Sequence, residues 1–170
     1  MTLYIPSITI DQAIDALASY IALFTQSPII RGNVNRTAMP LGSFVELTEV
    51  SDISINKPIE IINNDSTETI SEHLRLDVQI DFFGWDLSEA AKAFHASFRT
   101  IWATTQFPDW ISPLYCNNPM KMPIENAENQ YEQRWTMTAS LQYNPDVIVT
   151  QESFINVGDA GVIPADVIYN

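Results

Sequence analysis

The sequence predicts an α+β protein in which a mostly antiparallel β-sheet is covered on one face by two helices. The clearest evidence is the stretch from Tyr131 to Tyr143, where six of the seven odd positions are apolar and no even position is. The stretch from Leu74 to Phe82 alternates in the same way. Alternation with a period of two is typical of strands that face a core on one side and water on the other. Two amphipathic helix patterns supply the expected cover.

The first helix is predicted to begin at a capping box and to end before Pro28. Thr9 offers a hydroxyl at the N-cap and Gln12 an amide three residues later. One apolar stripe follows at spacings of three and four residues: Ile10, Ile14, Leu17, Ile21 and Phe24. Such a stripe predicts packing against the sheet.

The next region is predicted to be extended. A strand at Ile29 leads into a loop rich in Gly, Asn and Pro that reaches Gly42, and residues 44–50 form a second strand. Residues 52–65 carry five isoleucines but are interrupted at Lys57-Pro58 and again at residues 63–65. We expect a short strand or an exposed hairpin there.

A long strand from Thr69 to Phe83 is predicted to precede the second helix. That helix is expected to be capped by Asp86 and Glu89. Its apolar face comprises Ala90, Ala91, Phe94, Phe98, Ile101, Trp102 and Thr105. Burying each large side chain of this face would contribute about 2 kcal/mol before entropy is subtracted.

The remaining chain is predicted to be an irregular connection, two strands and a tail. Residues 107–129 contain four prolines, which exclude a continuous helix or a central strand. The strand at residues 131–143 follows, and then a short one at residues 147–154. We expect residues 1–155 to form a single domain and residues 156–170 a tail that is extended or ordered against a partner.

Composition excludes several classes of function. The chain has 21 acidic and 8 basic residues, a formal charge of −13, which argues against a protein that binds by neutralising phosphates. It has no membrane-spanning apolar run and no secretion signal, and the single Cys116 cannot form an internal disulfide. Synthesis in the cytoplasm is the expectation.

No residue pattern predicts catalysis, a metal or a cofactor. His73 and His95 lie outside any ligand spacing and are interpreted as structural. Asp77 and Asp81 are expected to form a solvated charge ladder with Arg75 and Arg134. Core packing is expected for Trp102 and Trp135, whereas the roles of Trp85 and Trp110 stay open.

Two groups of short motifs resemble the phage neck or tail terminator family. The first comprises Gly32-Asn-Val-Asn-Arg36, Met39-Pro40, Gly42 and Phe44-Val45. The second comprises Pro113-Leu-Tyr115, Pro119, Met122-Pro123, Gln130-Tyr-Glu-Gln-Arg-Trp135 and Leu141-Gln-Tyr-Asn-Pro145. The resemblance extends over residues 29–149, and the isoleucine-rich region 50–71 departs from it.

The resemblance implies a non-enzymatic virion protein, made in the bacterial host, with a tail-terminator-like fold. Such a protein forms a ring, a hexamer, that stops growth of the tail tube and meets the head-side connector. The implied partners are other copies of itself, the tail tube protein, the connector and, if the tail contracts, the sheath. DNA would pass through without specific binding, and no membrane is involved.

Candidate contacts with other subunits or partners follow from this expectation. They are Asn33, Asn35, Arg36, Met39, Arg75 and Arg134. Arg36 can pair in a bidentate manner with a carboxylate of the next subunit. A turn in which the Asn side chains cap their own backbone is equally compatible with the loop. A head-completion protein, another neck component and, less favoured, a host enzyme stay open as alternatives.

Overall fold

The computed structural model describes residues 4–33, 40–63, 67–125 and 131–150. The helices are α1 (Ile10–Ile21), α2 (Ser88–Phe98) and α3 (Ile101–Thr104). The strands are β1 (Ile29–Arg31), β2 (Phe44–Ser54), β3 (Ile59–Ile62), β4 (Thr67–Ser71), β5 (Leu74–Phe83), β6 (Ile111–Cys116), β7 (Met120–Lys121), β8 (Ile124–Glu125), β9 (Tyr131–Glu132), β10 (Arg134–Tyr143) and β11 (Asp146–Thr150). The fold is α+β, as predicted. The expected tail, residues 156–170, lies outside the described residues.

The main sheet has the order β1-β2-β5-β10-β6, with β7 also paired to β10. Only β1 and β2 are parallel; β2, β5, β10, β6 and β7 pair in antiparallel fashion. The two strands predicted from alternation, β5 and β10, are both present and pair with each other. Leu76, Val78, Ile80 and Phe82 of β5 are fully buried on the inner face, as alternation requires.

Two helices cover the inner face of the main sheet. In α1, the Thr9 hydroxyl accepts a hydrogen bond from the backbone N–H of Gln12, and the Gln12 side-chain oxygen accepts one from the backbone N–H of Thr9, so the predicted capping box is confirmed. The covering residues of the two helices are Ala13, Ile14, Leu17, Tyr20, Ile21, Ala90, Ala91, Phe94 and Phe98. The Tyr20 ring lies 5.7 Å from that of Phe94 and 4.9 Å from that of Phe107, which joins the helices through aromatic packing.

The second helix is shorter than predicted. A 3₁₀ turn at Trp85–Leu87 precedes α2, whose N-cap is Leu87 with no side-chain cap, so Asp86 and Glu89 do not cap it. The helix ends at Phe98, and a separate turn, α3, follows. Ile101 is consequently exposed and Trp102 only half-buried, although its ring still contacts Tyr20. The prediction that both belong to the buried face of one helix is wrong.

A small second sheet has the order β11-β4-β3. The predicted strand from Thr69 to Phe83 is in fact two strands, β4 and β5, which belong to different sheets. The break occurs at Glu72, whose N–H donates to the Pro145 carbonyl, the same point at which β10 passes into β11. Of the short strand or exposed hairpin expected in residues 52–65, the short strand is found: β3 is exposed throughout and pairs with β4, while residues 52–54 end β2.

The connection that was predicted to be irregular contains three strands, β6, β7 and β8. β6 includes Pro113 and pairs with β10 at the edge of the main sheet, where a residue without an N–H is tolerated. The pattern from Tyr131 also divides, because β9 pairs with β8 and only β10 enters the main sheet. Tyr131 is therefore exposed rather than part of the core.

Candidate assembly surface

The polar face of the main sheet carries an ion pair whose carboxylate is buried. Asp81 is 1% exposed and accepts hydrogen bonds from Arg134 Nε at 2.8 Å and Arg134 Nη2 at 2.7 Å. Gln79 donates a third hydrogen bond to the same carboxylate at 2.7 Å. This bidentate geometry raises the pKa of Arg134, chiefly through its hydrogen bonds to Asp81. The expectation that Asp81 belongs to a solvated ladder is wrong.

Asp77 lies further along the same face and is also satisfied within the subunit. It accepts hydrogen bonds from Ser140 at 2.6 Å, Ser51 at 2.9 Å and Arg75 Nη2 at 3.2 Å. Burial alone would raise the pKa of Asp77, but these hydrogen bonds and the Arg75 charge outweigh it and lower the pKa. This face therefore holds β2, β5 and β10 together through polar contacts.

Exposed isoleucines gather on and beside the small sheet. They are Ile53, Ile55, Ile59, Ile61, Ile62 and Ile148, each between 43% and 69% exposed. Residues 53–62, here called the isoleucine segment, supply five of them. Across the sheet, Ile61 and Ile148 both pair with Thr69, which places them on one face. Clustered exposed apolar side chains commonly mark an interaction surface.

A cleft of about 530 Å³ lies between the start of α1 and the two sheets. Its apolar wall includes Ile8, Ile10, Ile70, Leu74 and Val147, and its carboxylates are Asp11, Glu49, Asp52 and Glu72. We call it the acidic cleft. Arg31 pairs with Asp11 and with Asp15, so Asp11 is neutralised within the subunit.

The other carboxylates of the acidic cleft surround Tyr143. The Tyr143 hydroxyl donates to Asp52 Oδ2 at 2.7 Å. Burial, the hydrogen bond to Asp52 and the negative charges of Asp52, Glu49 and Glu72 all raise the pKa of Tyr143. Asp52 Oδ1 is buried and has no hydrogen-bond partner among the described residues. The cleft is thus strongly electronegative.

The described residues contain no group of three or more His, Cys, Asp or Glu side chains able to hold a metal ion. His73 contacts Asn56, and the His95 Nε2 atom is buried. Within the same part of the chain, no helix is long and apolar enough to cross a membrane.

Comparison with known protein families identifies the family of the chain. Residues 11–166 match the family described as phage neck terminator protein. The chain belongs to this family. No curated protein matches it. This neck terminator is therefore a structural protein of the bacteriophage neck, and the resemblance seen in its sequence motifs is confirmed.

The predicted contact residues of the neck terminator fall in two places. Asn33 follows β1 and has a φ of 60°, in the left-handed region that Asn tolerates well. Asn35, Arg36 and Met39 lie outside the described residues. Arg75 and Arg134 lie on the polar face, where each already pairs with an aspartate of its own subunit. Contact of these residues with other proteins stays a prediction.

The acidic cleft was missed because it depends on a change of register. β2 pairs with β5 as Glu49↔Val78 and then as Ser51↔Asp77, so Val50 is an extra residue. The bulge turns Asp52 towards the inner face, opposite Leu76. No local sequence signal distinguishes this bulge from a continuous strand.

Proposed function

We propose that this neck terminator forms a closed ring of identical subunits, a hexamer, on the end of the tail tube. The ring stops tube polymerisation and presents a surface to the head-side connector. The protein acts by assembly and not by catalysis. The observation that carries the proposal is the exposed isoleucine segment, which ends in the edge strand β3.

An exposed apolar edge strand favours pairing with another chain. Among the described residues of the small sheet, β3 is paired with β4 on one side only, and Ile59, Ile61 and Ile62 are all exposed. Soluble proteins usually protect such edges with charges, prolines or covering segments. In a ring, each subunit can cover the exposed surface of its neighbour, and a contact between two different surfaces closes when the rotation allows it.

The acidic balance is compatible with DNA passing through such a ring. With a formal charge of −13 for each subunit, the wall of a central channel would repel phosphates rather than bind them. DNA would then slide through without specific contacts. The proposed partners are the tail tube protein, the connector and, where the tail contracts, the sheath.

The mass of the purified protein by multi-angle light scattering, measured across a range of concentrations, tests the ring. We expect a closed species near six subunits. Some terminators could close only on a tube end, so the second measurement is whether added protein caps tail tube polymers and halts their growth. A protein that stays monomeric and caps nothing would contradict the proposal.

The loop from Gly32 to Gly42 is proposed as a contact element of the ring. Arg36→Ala is expected to weaken ring formation by removing a bidentate donor, without unfolding the subunit. Light scattering and circular dichroism on the same sample separate assembly from folding. An unchanged oligomer size would remove Arg36 from the interface.

A further inference from the structure

Lys57 lies in the middle of the isoleucine segment and has no ion-pair partner among the described residues. It lies in the exposed connection between β2 and β3, with Ile55 on one side and Ile59 on the other. Its side chain forms no ion pair or hydrogen bond within the described part of the chain, whereas Arg31, Arg75, Lys92 and Arg134 all pair with carboxylates.

The acidic cleft has the complementary composition. Glu49, Asp52 and Glu72 line it without an ion-pair partner among the described residues, and Asp52 Oδ1 is buried and unbonded. Between the carboxylates lies an apolar wall that includes Ile70 and Val147. This lining favours a ligand that carries positive charge flanked by apolar side chains.

We propose that residues 55–59 of one copy bind in the acidic cleft of the next copy. Lys57 pairs with the carboxylates of Glu49 and Glu72, while Ile55 and Ile59 cover the apolar wall. Because the contact joins two different surfaces, it can repeat from subunit to subunit around a ring when the rotation closes. This inference rests on the proposed ring and assigns its interface.

The longest segment outside the described residues has the wrong charge to fill the cleft. Residues 151–170 contain Glu152, Asp159 and Asp166 and no Lys or Arg, so the cleft would repel them. Two subunits of formal charge −13 also repel each other overall. A contact between copies therefore needs local pairs of opposite charge, which residues 55–59 and the cleft supply.

Charge reversal tests the pairing. Lys57→Glu is expected to raise the subunit concentration at half-assembly at least about tenfold, because attraction becomes repulsion at the contact. Lys92→Glu makes the same change of charge on α2, at an exposed pair with Glu89, and is expected to assemble like the wild type. Glu49→Lys should weaken assembly, and the double variant Lys57→Glu with Glu49→Lys should restore it to within about threefold of the wild type.

Crosslinking tests the geometry directly. Lys57→Cys and Glu49→Cys proteins are purified separately and then mixed under mild oxidation, alone and on tube ends. A disulfide between positions 57 and 49 should form in the mixture and in neither protein alone. The native Cys116 is buried, and burial raises the pKa of its thiol to about 11, so it does not compete.

The outcomes separate this inference from the ring itself. A wild-type ring that Lys57→Glu leaves intact, or an assembled ring in which no disulfide forms between positions 57 and 49, would overturn the inference while the ring stands. A wild type that neither assembles nor caps tubes overturns the proposed function and this contact with it.

Discussion

The two sheets use the same residue type for opposite purposes. Ile80 in β5 of the main sheet is 0% exposed, whereas Ile61 in β3 of the small sheet is 51% exposed. Both lie in antiparallel strands. The difference arises in the next layer, because α1 and α2 pack on the inner face of the main sheet. An isoleucine in a strand therefore indicates a sheet face that is stable when another element packs on it. That element can belong to the same subunit or to another one.

The largest effect is expected from the same substitution made in the two sheets. Ile80→Ala should lower the free energy of unfolding by about 2–5 kcal/mol, since it removes buried contacts and leaves a cavity. Ile61→Ala should lower it by less than about 0.5 kcal/mol in the isolated subunit, because the side chain is already hydrated. Urea unfolding of dilute protein measures both.

The same pair of variants also examines assembly. Under the proposed function, Ile61→Ala raises the concentration needed to form the ring although the subunit stays folded. Equal losses of subunit stability from the two substitutions would mean that the small sheet is covered within the subunit, and the contrast between the sheets would disappear.

A second contrast concerns ion pairs. Asp81→Ala should cost about 2 kcal/mol, because it leaves Arg134 without its bidentate partner; the cost stays below that of a fully buried pair since the Arg134 side chain is 23% exposed. Glu89→Ala removes the exposed pair with Lys92 and should cost less than about 0.5 kcal/mol. Denaturant midpoints that coincide for the two variants would contradict the structural importance of the Asp81 pair.

The sequence allowed prediction of those features that depend on local pattern. The alternation in β5 and β10 and the Thr9 capping box require only nearby residues, and both were predicted correctly. The break at Glu72 could not be predicted, because it depends on the pairing of β4 with β11. The paired residues Ser71 and Asp146 are seventy-five positions apart in the sequence. The burial of Asp81 likewise depends on Arg134, a residue distant in sequence.

Of the candidate assembly surface, only the isoleucine-rich composition of one segment could be recognised in the sequence. The isoleucines of residues 52–65 indicated a short strand or an exposed hairpin. The acidic cleft has no linear signature, because it is lined by residues of α1, β2, β4, β5, β10 and β11. From the sequence, Arg75 and Arg134 were instead predicted to contact other subunits or partners. A charged residue that is a plausible contact in the sequence can already be hydrogen-bonded to a partner within its own subunit, as these two arginines are.

Tyr143 at the acidic cleft gives a prediction for alkaline pH. Its pKa is raised in the folded protein, above 10.0 for the unfolded state, so the folded state holds the proton more tightly. This contribution to stability is complete below pH 10 and is lost as the pH rises towards the folded pKa. We expect the free energy of unfolding to fall above pH 10 by up to about 1.4 kcal/mol per pH unit from this group.

Tyr143→Phe supplies the control for the alkaline transition. The variant loses the hydrogen bond to Asp52 and is less stable at neutral pH, but its stability should fall less steeply above pH 10. Tyr20, whose pKa burial also raises, remains in both proteins as a common background. Parallel curves for the two proteins would show that Tyr143 is not the group responsible.

The smallest expected difference in stability is between substitutions at two helix N-caps. One is the cap of α1, which covers the main sheet, and the other is the cap of α3, the short turn beyond α2. Thr9 caps α1 through its side chain, so Thr9→Ala should cost about 1 kcal/mol. Thr100 at the N-cap of α3 makes no side-chain cap, although its hydroxyl donates to the Ser97 carbonyl at 2.7 Å, and Thr100→Ala should cost about half as much or less. Thermal unfolding of the two variants compares them directly. A larger loss for Thr100→Ala would mean that α3, and not α1, controls how firmly the main sheet is covered.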